Sequence, residues 1–121
     1  MARVVLIDND QVFTDVTNML IKQVRPDLDV QIYNNSRKAL TEEADKDADL
    51  FLVDIYMPDK NGWEVAETLK EKKNQNLDNL YIISSSIDKH DRVKAIEELG
   101  VADFISKPLT TDKLRSIFKQ L

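Results

Sequence analysis

The chain has 121 residues, enough for one domain with a substantial core, since a chain of that size buries roughly two thirds of the surface it exposes when unfolded. Its 17 basic and 22 acidic residues leave a net charge of −5 spread along the sequence, which excludes the basic patch that nucleic-acid binding requires. The absence of cysteine rules out disulfides and thiolate metal sites and suits a reducing, cytoplasmic compartment, and no apolar run approaches the ~20 residues that span a membrane.

Short β-branched runs alternate with stretches of helical period, the pattern of βα units and hence of a parallel sheet covered on both faces. The first strand is predicted from Arg3 to Ile7. It is followed by an apolar stripe at helical spacing, Val12, Val16, Met19, Leu20 and Val24, with Asp10 as N-cap and Pro26 as its stop. A strand from Leu28 to Tyr33 precedes a short, weakly amphipathic helix from Ser36 to Ala44. The run Leu50 to Val53 is a third strand, and the turn chemistry of Pro58 to Gly62 leads to a helix from about Trp63 to Lys72, with Val65, Ala66 and Leu69 inward. The polar tract Lys70 to Asn79 reads as a solvated helix end and loop. A strand from Leu80 to Ile83 comes next, then a helix carrying Val93, Ile96 and Leu99 that halts at Gly100, a C-cap by chemistry. The last unit is a strand from Asp103 to Ile105 and a helix carrying Leu114, Ile117, Phe118 and Leu121 behind a Thr110-Thr111 cap. Five βα units with no linker or repeat predict one α/β domain over residues 1–121, a five-stranded doubly wound parallel sheet of the flavodoxin-like (βα)5 sandwich type.

Three apolar runs end in reactive residues: the first in Asp8-Asn9-Asp10, the third in Asp54, and the fifth in Ser106-Lys107-Pro108. The carboxyl ends of parallel strands share the crevice where ligands bind in open α/β sheets, so the fold predicts that two carboxylates and an ammonium meet there. That set suits a divalent metal and a phosphoryl group. In such a set a strand-end carboxylate, Asp8 or Asp54, can act as a positioned nucleophile or hold the cation, and Lys107 is a point charge suited to a phosphate oxygen. Taken alone, Asp10 reads as a helix cap, Asn9 as a turn residue, Phe104 as core and Trp63 as packing at the start of the third helix. His90, set among charges, is given no phosphoryl or metal role, and Lys70, Lys72 and Lys73 are read as a solvated helix end.

Across its whole length the chain resembles the receiver domain of bacterial response regulators. The matching pieces are Ile7-Asp8-Asn9-Asp10, Asp54 with Met57-Pro58 and Gly62, the strand end Ile83-Ser84-Ser85, Gly100, Phe104 and Lys107-Pro108. The resemblance implies phosphorylation of Asp54 by a sensor histidine kinase or histidine phosphotransfer protein, with Mg²⁺ as the required ion. It implies Asp8, Asn9, Asp54 and the backbone carbonyl of Tyr56 around the metal, Lys107 and a strand-end hydroxyl on the phosphoryl group, a cis bond before Pro108, and Phe104 as a rotameric switch. Such a domain catalyses only its own phosphorylation and slow dephosphorylation. Its output is contact with a downstream protein, with neither nucleic acid nor membrane as partner.

Two positions depart from the family pattern. Asn9 stands where most receivers carry a second acid, the principal side-chain metal ligand, and its amide oxygen supplies one formal charge fewer, so weaker Mg²⁺ binding is expected. Ser84, Ser85 and Ser86 follow one another where the family has a single hydroxyl. Counting from Gly62 selects Ser84 and counting back from Lys107 selects Ser85, so one residue is inserted between them; Ser84 is chosen, with the extra residue assigned to the fourth helix. Two rivals stand beside this reading. One is a phosphatase of the haloacid dehalogenase type, with Asp8 as nucleophile and Asp10 as general acid; the other is a receiver-fold docking module that is never phosphorylated. Since nothing after Leu121 encodes an effector domain, the expectation is either a lone receiver resembling the diffusible chemotaxis messenger or a fragment of a longer protein.

Overall fold

A computed structural model describes residues 2–73, 76–85 and 88–121. Five strands, β1 (Arg3–Ile7), β2 (Asp29–Tyr33), β3 (Leu50–Asp54), β4 (Leu80–Ser84) and β5 (Asp103–Ser106), form one sheet in the order β2-β1-β3-β4-β5, every pair parallel. The helices are α1 (Gln11–Val24), α2 (Ser36–Glu42), α3 (Gly62–Lys73), α4 (Lys89–Val93) and α5 (Thr111–Ile117). A π-helical segment, Lys94–Leu99, continues α4, and a 3₁₀ turn, Phe118–Gln120, follows α5.

Alternation along the strands divides the core into two layers, because successive side chains point to opposite faces. Val5, Ile7, Phe51, Val53 and Ile82 join Ala39, Val65, Ala66, Leu69, Ala95 and Leu99 on the face covered by α2, α3 and the α4 region. Val4, Leu6, Leu50, Leu52 and Ile83 join Ile21, Leu114, Ile117 and Phe118 under α1 and α5. Most of these strand residues are wholly buried, and each such Val, Leu, Ile or Phe contributes roughly 1.5–3 kcal/mol. Burial on both faces is why the strands read as continuous apolar runs.

Several boundaries and faces differ from the sequence expectation. β2 begins at Asp29 and α2 ends at Glu42, while β3, β4 and β5 each extend one residue further, into Asp54, Ser84 and Ser106. The apolar stripe on α1 splits. Val12, Val16 and Met19 lie on the exposed face, whereas Phe13, Thr17, Leu20, Ile21 and Val24 turn inward, because both sets have helical spacing and only packing against the sheet chooses between them. Val93 and Ile96 are also exposed, leaving Ala95 and Leu99 as the buried residues of the fourth helical stretch. Within the tract expected to be solvated, Leu77 is buried, closing the core below β4. His90 and Lys70 are exposed, and the Gly100 C-cap lies in the left-handed region at φ 73°. No helix among the described residues is long and apolar enough to cross a membrane.

Candidate functional site at the carboxyl ends of β1, β3, β4 and β5

The sheet order places β1 between β2 and β3, so the chain reverses its direction of winding between β1 and β3, and Asp8 and Asp54 end those two neighbouring strands. Asp8 is fully buried and Asp54 is 5 % exposed. The Asp8 backbone is fixed by its own N–H donating to the Tyr33 carbonyl at 3.0 Å and by Asn34 Nδ2 donating to the Asp8 carbonyl at 2.8 Å. Its Oδ1 accepts the Asp10 N–H at 2.9 Å, while the Asp10 carboxylate caps α1 by accepting the Phe13 N–H at 3.1 Å.

Lys107 enters from the end of β5, joined to Pro108 by a cis peptide bond. Its Nζ lies 2.7 Å from Asp8 Oδ2, 3.5 Å from Asp54 Oδ1 and 4.2 Å from the centre of the Phe13 ring. The contact with Asp8 is a close ion pair, and among the described residues its Oδ2 accepts no hydrogen bond of regular geometry. Two carboxylates therefore share one ammonium in a nearly dry recess. Burial pushes the Asp54 carboxyl up to about 6 and the charge of Asp8 adds to the rise, against the opposing pull of Lys107 and of the Tyr56 backbone.

The loop after β3 is held against the same recess. Gly62 N–H donates to the Ile55 carbonyl at 2.9 Å, and the Lys60 N–H donates to Ser36 Oγ at 3.0 Å. Asn61 and Glu64 form a reciprocal cap at the start of α3, with the Glu64 N–H donating to Asn61 Oδ1 and the Asn61 N–H to Glu64 Oε1. A Cβ on Gly62 would lie 2.7 Å from the Asp54 carbonyl oxygen and 2.8 Å from Ile55 Cα, so the glycine lets this loop close onto the strand that carries Asp54. Tyr56 turns its side chain to solvent, 57 % exposed, and its backbone hydrogen-bonds the Asp54 carboxylate. Asn9 is exposed and lines a hollow of about 30 Å³ with Asn35, Met57 and Asp59.

Ser84 closes β4 beside Asp54, fully buried, and pairs in register with Ser106; Ser85 follows outside the strand and is exposed. Ser86 lies outside the described residues. Phe104 is buried in β5 on the α4 side of the sheet. Thus Asp8, Asp54, Lys107 and Ser84 occupy adjoining strand ends, Asn9 and Tyr56 lie at the rim, and Asp10 is committed to α1. Sequence reasoning missed Phe13, whose ring supports the Lys107 ammonium. An aromatic residue at the third position of an amphipathic helix carries no signal that separates this role from packing.

The donor set fits a hard divalent cation. Carboxylate oxygens of Asp8 and Asp54 and the Tyr56 carbonyl are hard ligands, the two carboxylates are buried with a single charge shared between them, and Mg²⁺ characteristically binds one or two carboxylates while keeping several waters. Among the described residues no group of three acidic, histidine or cysteine side chains stands ready to hold a metal.

The family model for the response regulator receiver domain matches residues 4–119. The chain is 22 % identical over 120 residues to the sensory transduction protein LytT of Bacillus subtilis, covering 99 % of this chain and 48 % of that protein. It is 24 % identical over 124 residues to the hybrid signal transduction histidine kinase L of Dictyostelium discoideum, covering 99 % of this chain and 7 % of the kinase. The chain thus spans about half, or far less, of the length of these relatives. A two-component response regulator from Cytophaga hutchinsonii superposes with a TM-score of 0.85 at 26 % identity, covering 99 % of this chain and 96 % of that one.

Proposed function

This chain belongs to the receiver-domain family of two-component response regulators, and from that premise we propose that Asp54 accepts a phosphoryl group from a phosphohistidine on a sensor histidine kinase or a histidine phosphotransfer protein. An Asp54 oxygen attacks phosphorus in line as the phosphorus–nitrogen bond breaks, and the departing imidazole takes up a proton. There is little covalent chemistry for the protein to add, so its contribution is position and charge. The strand end fixes the nucleophile, and the Gly62 contact fixes the strand end. Lys107 sits within ion-pair reach of both acids and needs only to turn from Asp8 toward the arriving phosphoryl oxygens, and Ser84, at the end of the neighbouring strand, would supply the hydroxyl.

Receiver domains bind Mg²⁺ at their phosphorylation site. Here Asp8, Asn9, Asp54 and the Tyr56 carbonyl would hold it, and once bound it neutralises the charge that sets carboxylate against phosphate. Hydrolysis of the acyl phosphate, with water forming the new bond to phosphorus and Asp54 departing as carboxylate, returns the domain to its starting state; no turnover of a second substrate is involved. Output passes to a downstream protein through the surface of α4, β5 and α5, where Phe104 lines a cavity of about 400 Å³ with Arg92 and Ile105. Sharing a compartment with its phosphohistidine donor, the domain is expected in the cytoplasm.

The observation that carries this reading is the meeting of Asp8, Asp54 and Lys107 within ion-pair distance. The phosphatase alternative loses its general acid, because the Asp10 carboxylate is engaged as the α1 cap. Incubation with acetyl phosphate and Mg²⁺ followed by intact mass is the test. The chain should gain one labile phosphoryl group, and Asp54→Ala should gain none. A wild-type chain that stays unlabelled would be the docking module instead.

A further inference from the structure

Lys113 stands at the third position of α5, where the positive end of the helix dipole disfavours a cation. A lysine there would ordinarily send its ammonium into water. Instead its Nζ donates to the Ser106 carbonyl at 2.9 Å, to the Pro108 carbonyl at 3.1 Å and to the Ser106 hydroxyl at 3.3 Å. An ammonium has three donors. All three are used, each on an uncharged oxygen, and those oxygens belong to the two residues that flank Lys107.

The same segment is tied from the opposite side. Lys107 N–H donates to the Ser84 carbonyl at 2.7 Å, so its backbone is fixed to the end of β4. The Lys113 main chain is itself anchored, its N–H donating to the Thr110 side chain at 3.2 Å. The short path from Ser106 to Pro108 is therefore gripped between β4 and α5, and the side chain that projects from its middle is the ammonium that lies between Asp8 and Asp54.

We propose that Lys113 is a positioning residue for phosphoryl transfer, fixing the backbone on both sides of Lys107 so that the Lys107 ammonium is delivered to the acids and then to the phosphoryl group. The proposal rests on the reading of Asp54 as phosphoacceptor. Lys113 touches neither the phosphoryl group nor the metal ligands; it acts through Lys107 and, by the Lys107–Ser84 backbone bond, on the strand end that bears the hydroxyl. A displacement of about 1 Å at a charge-stabilising group costs up to ~100-fold in rate, so a loosened loop has a measurable consequence.

Lys113→Met keeps the aliphatic stem and removes the ammonium, and Lys113→Arg restores a cation. Two readouts are needed: the initial rate of labelling by acetyl phosphate with Mg²⁺, and amide hydrogen exchange at Lys107 without metal or phosphate. Lys113→Met should slow labelling at least tenfold and speed Lys107 exchange at least tenfold, with Leu52 and Val53 in β3 exchanging as in the wild type, and Lys113→Arg should recover most of both. Wild-type behaviour in either readout, or an equal loosening of β3, overturns the proposal. If the wild-type chain takes no label, the phosphoacceptor reading is what has failed, and exchange at Lys107 alone then decides whether Lys113 orders the segment.

Discussion

The Lys107 ammonium is held closer to Asp8, at 2.7 Å, than to the proposed phosphoacceptor Asp54, at 3.5 Å. The domain at rest thus keeps the Lys107 cation on a fully buried acid. Breaking a buried ion pair usually costs 3–5 kcal/mol because a charge is left alone. Here Lys107 would keep Asp54, and the repulsion that helps drive the Asp54 carboxyl up to about 6 would vanish. Asp8→Asn also retains an oxygen to accept the Asp10 N–H. Relief of repulsion should win without metal, raising the thermal midpoint by about 4 °C, the equivalent of ~1 kcal/mol. Mg²⁺ affinity should fall at least tenfold. Thermal unfolding with and without Mg²⁺ checks both, and an unchanged response to Mg²⁺ would remove Asp8 from the metal site.

Asn9→Asp should act in the opposite direction on the metal. One further unit charge about 4 Å from a divalent cation is worth on the order of 2 kcal/mol even in water-like surroundings. Asn9 is exposed, so the new carboxylate incurs little desolvation cost. Calorimetric titration should show Mg²⁺ binding about tenfold tighter. Equal dissociation constants for the two chains would mean that the amide at position 9 costs the site nothing.

Much of the site was legible because parallel strands buried on both faces announce themselves as apolar runs, and the residue that ends each run must face the common crevice. Asp8 and Asp54 reach the crevice by that rule, while the division of roles between them and with Lys107 came from the receiver-domain resemblance. The two intervals around Ser84 conflict by one residue, and a π-helical segment, Lys94–Leu99, lies between Ser84 and Lys107. The rotation of α1 was not legible, because Val12, Val16 and Met19 compete with Phe13, Leu20, Ile21 and Val24 at the same period. Nor was Lys113, since its role depends on carbonyls whose positions only the packed β5–α5 connection defines.

Gly62 also carries more than the turn its sequence context suggests. The atoms that a Cβ would strike, the Asp54 carbonyl oxygen and Ile55 Cα, are backbone and cannot swing aside like a flexible side chain. Gly62→Ala should therefore cost about 2 kcal/mol, the usual scale of overpacking, and should displace the strand end that carries the proposed phosphoacceptor. Urea denaturation should show a lower midpoint at unchanged slope, accompanied by slower acetyl phosphate labelling. Wild-type stability would show that the loop can retreat from β3 without loss.

Away from the site, a buried cluster sets the pH limits of the fold. Glu43 accepts Arg3 Nη1 at 2.6 Å, Arg3 Nη2 at 2.5 Å and the Tyr33 hydroxyl at 2.6 Å, and it is 1 % exposed. Burial alone would raise the Glu43 carboxyl, but the hydrogen bonds from Arg3 and Tyr33 outweigh it and hold the group below its ordinary value of 4.5. Its stabilising contribution is thus complete above pH 4.5 and is lost as pH falls through the depressed folded value. Tyr33 is pushed up to about 12, first by burial and then by its bond to the Glu43 carboxylate. A group raised from 10 to about 12 favours the folded state fully below pH 10, and that contribution disappears as pH climbs through 12. The two-unit rise corresponds to roughly 2–3 kcal/mol. Urea unfolding measured across pH should therefore show the wild type losing stability between pH 10 and 12 more steeply than Tyr33→Phe, the two curves converging at the top of that range. Tyr81, also raised by burial, titrates in both chains and cancels from the comparison. Parallel alkaline limbs for wild type and Tyr33→Phe would separate Tyr33 from the alkaline transition and leave the Arg3–Glu43 pair as the cluster's whole contribution.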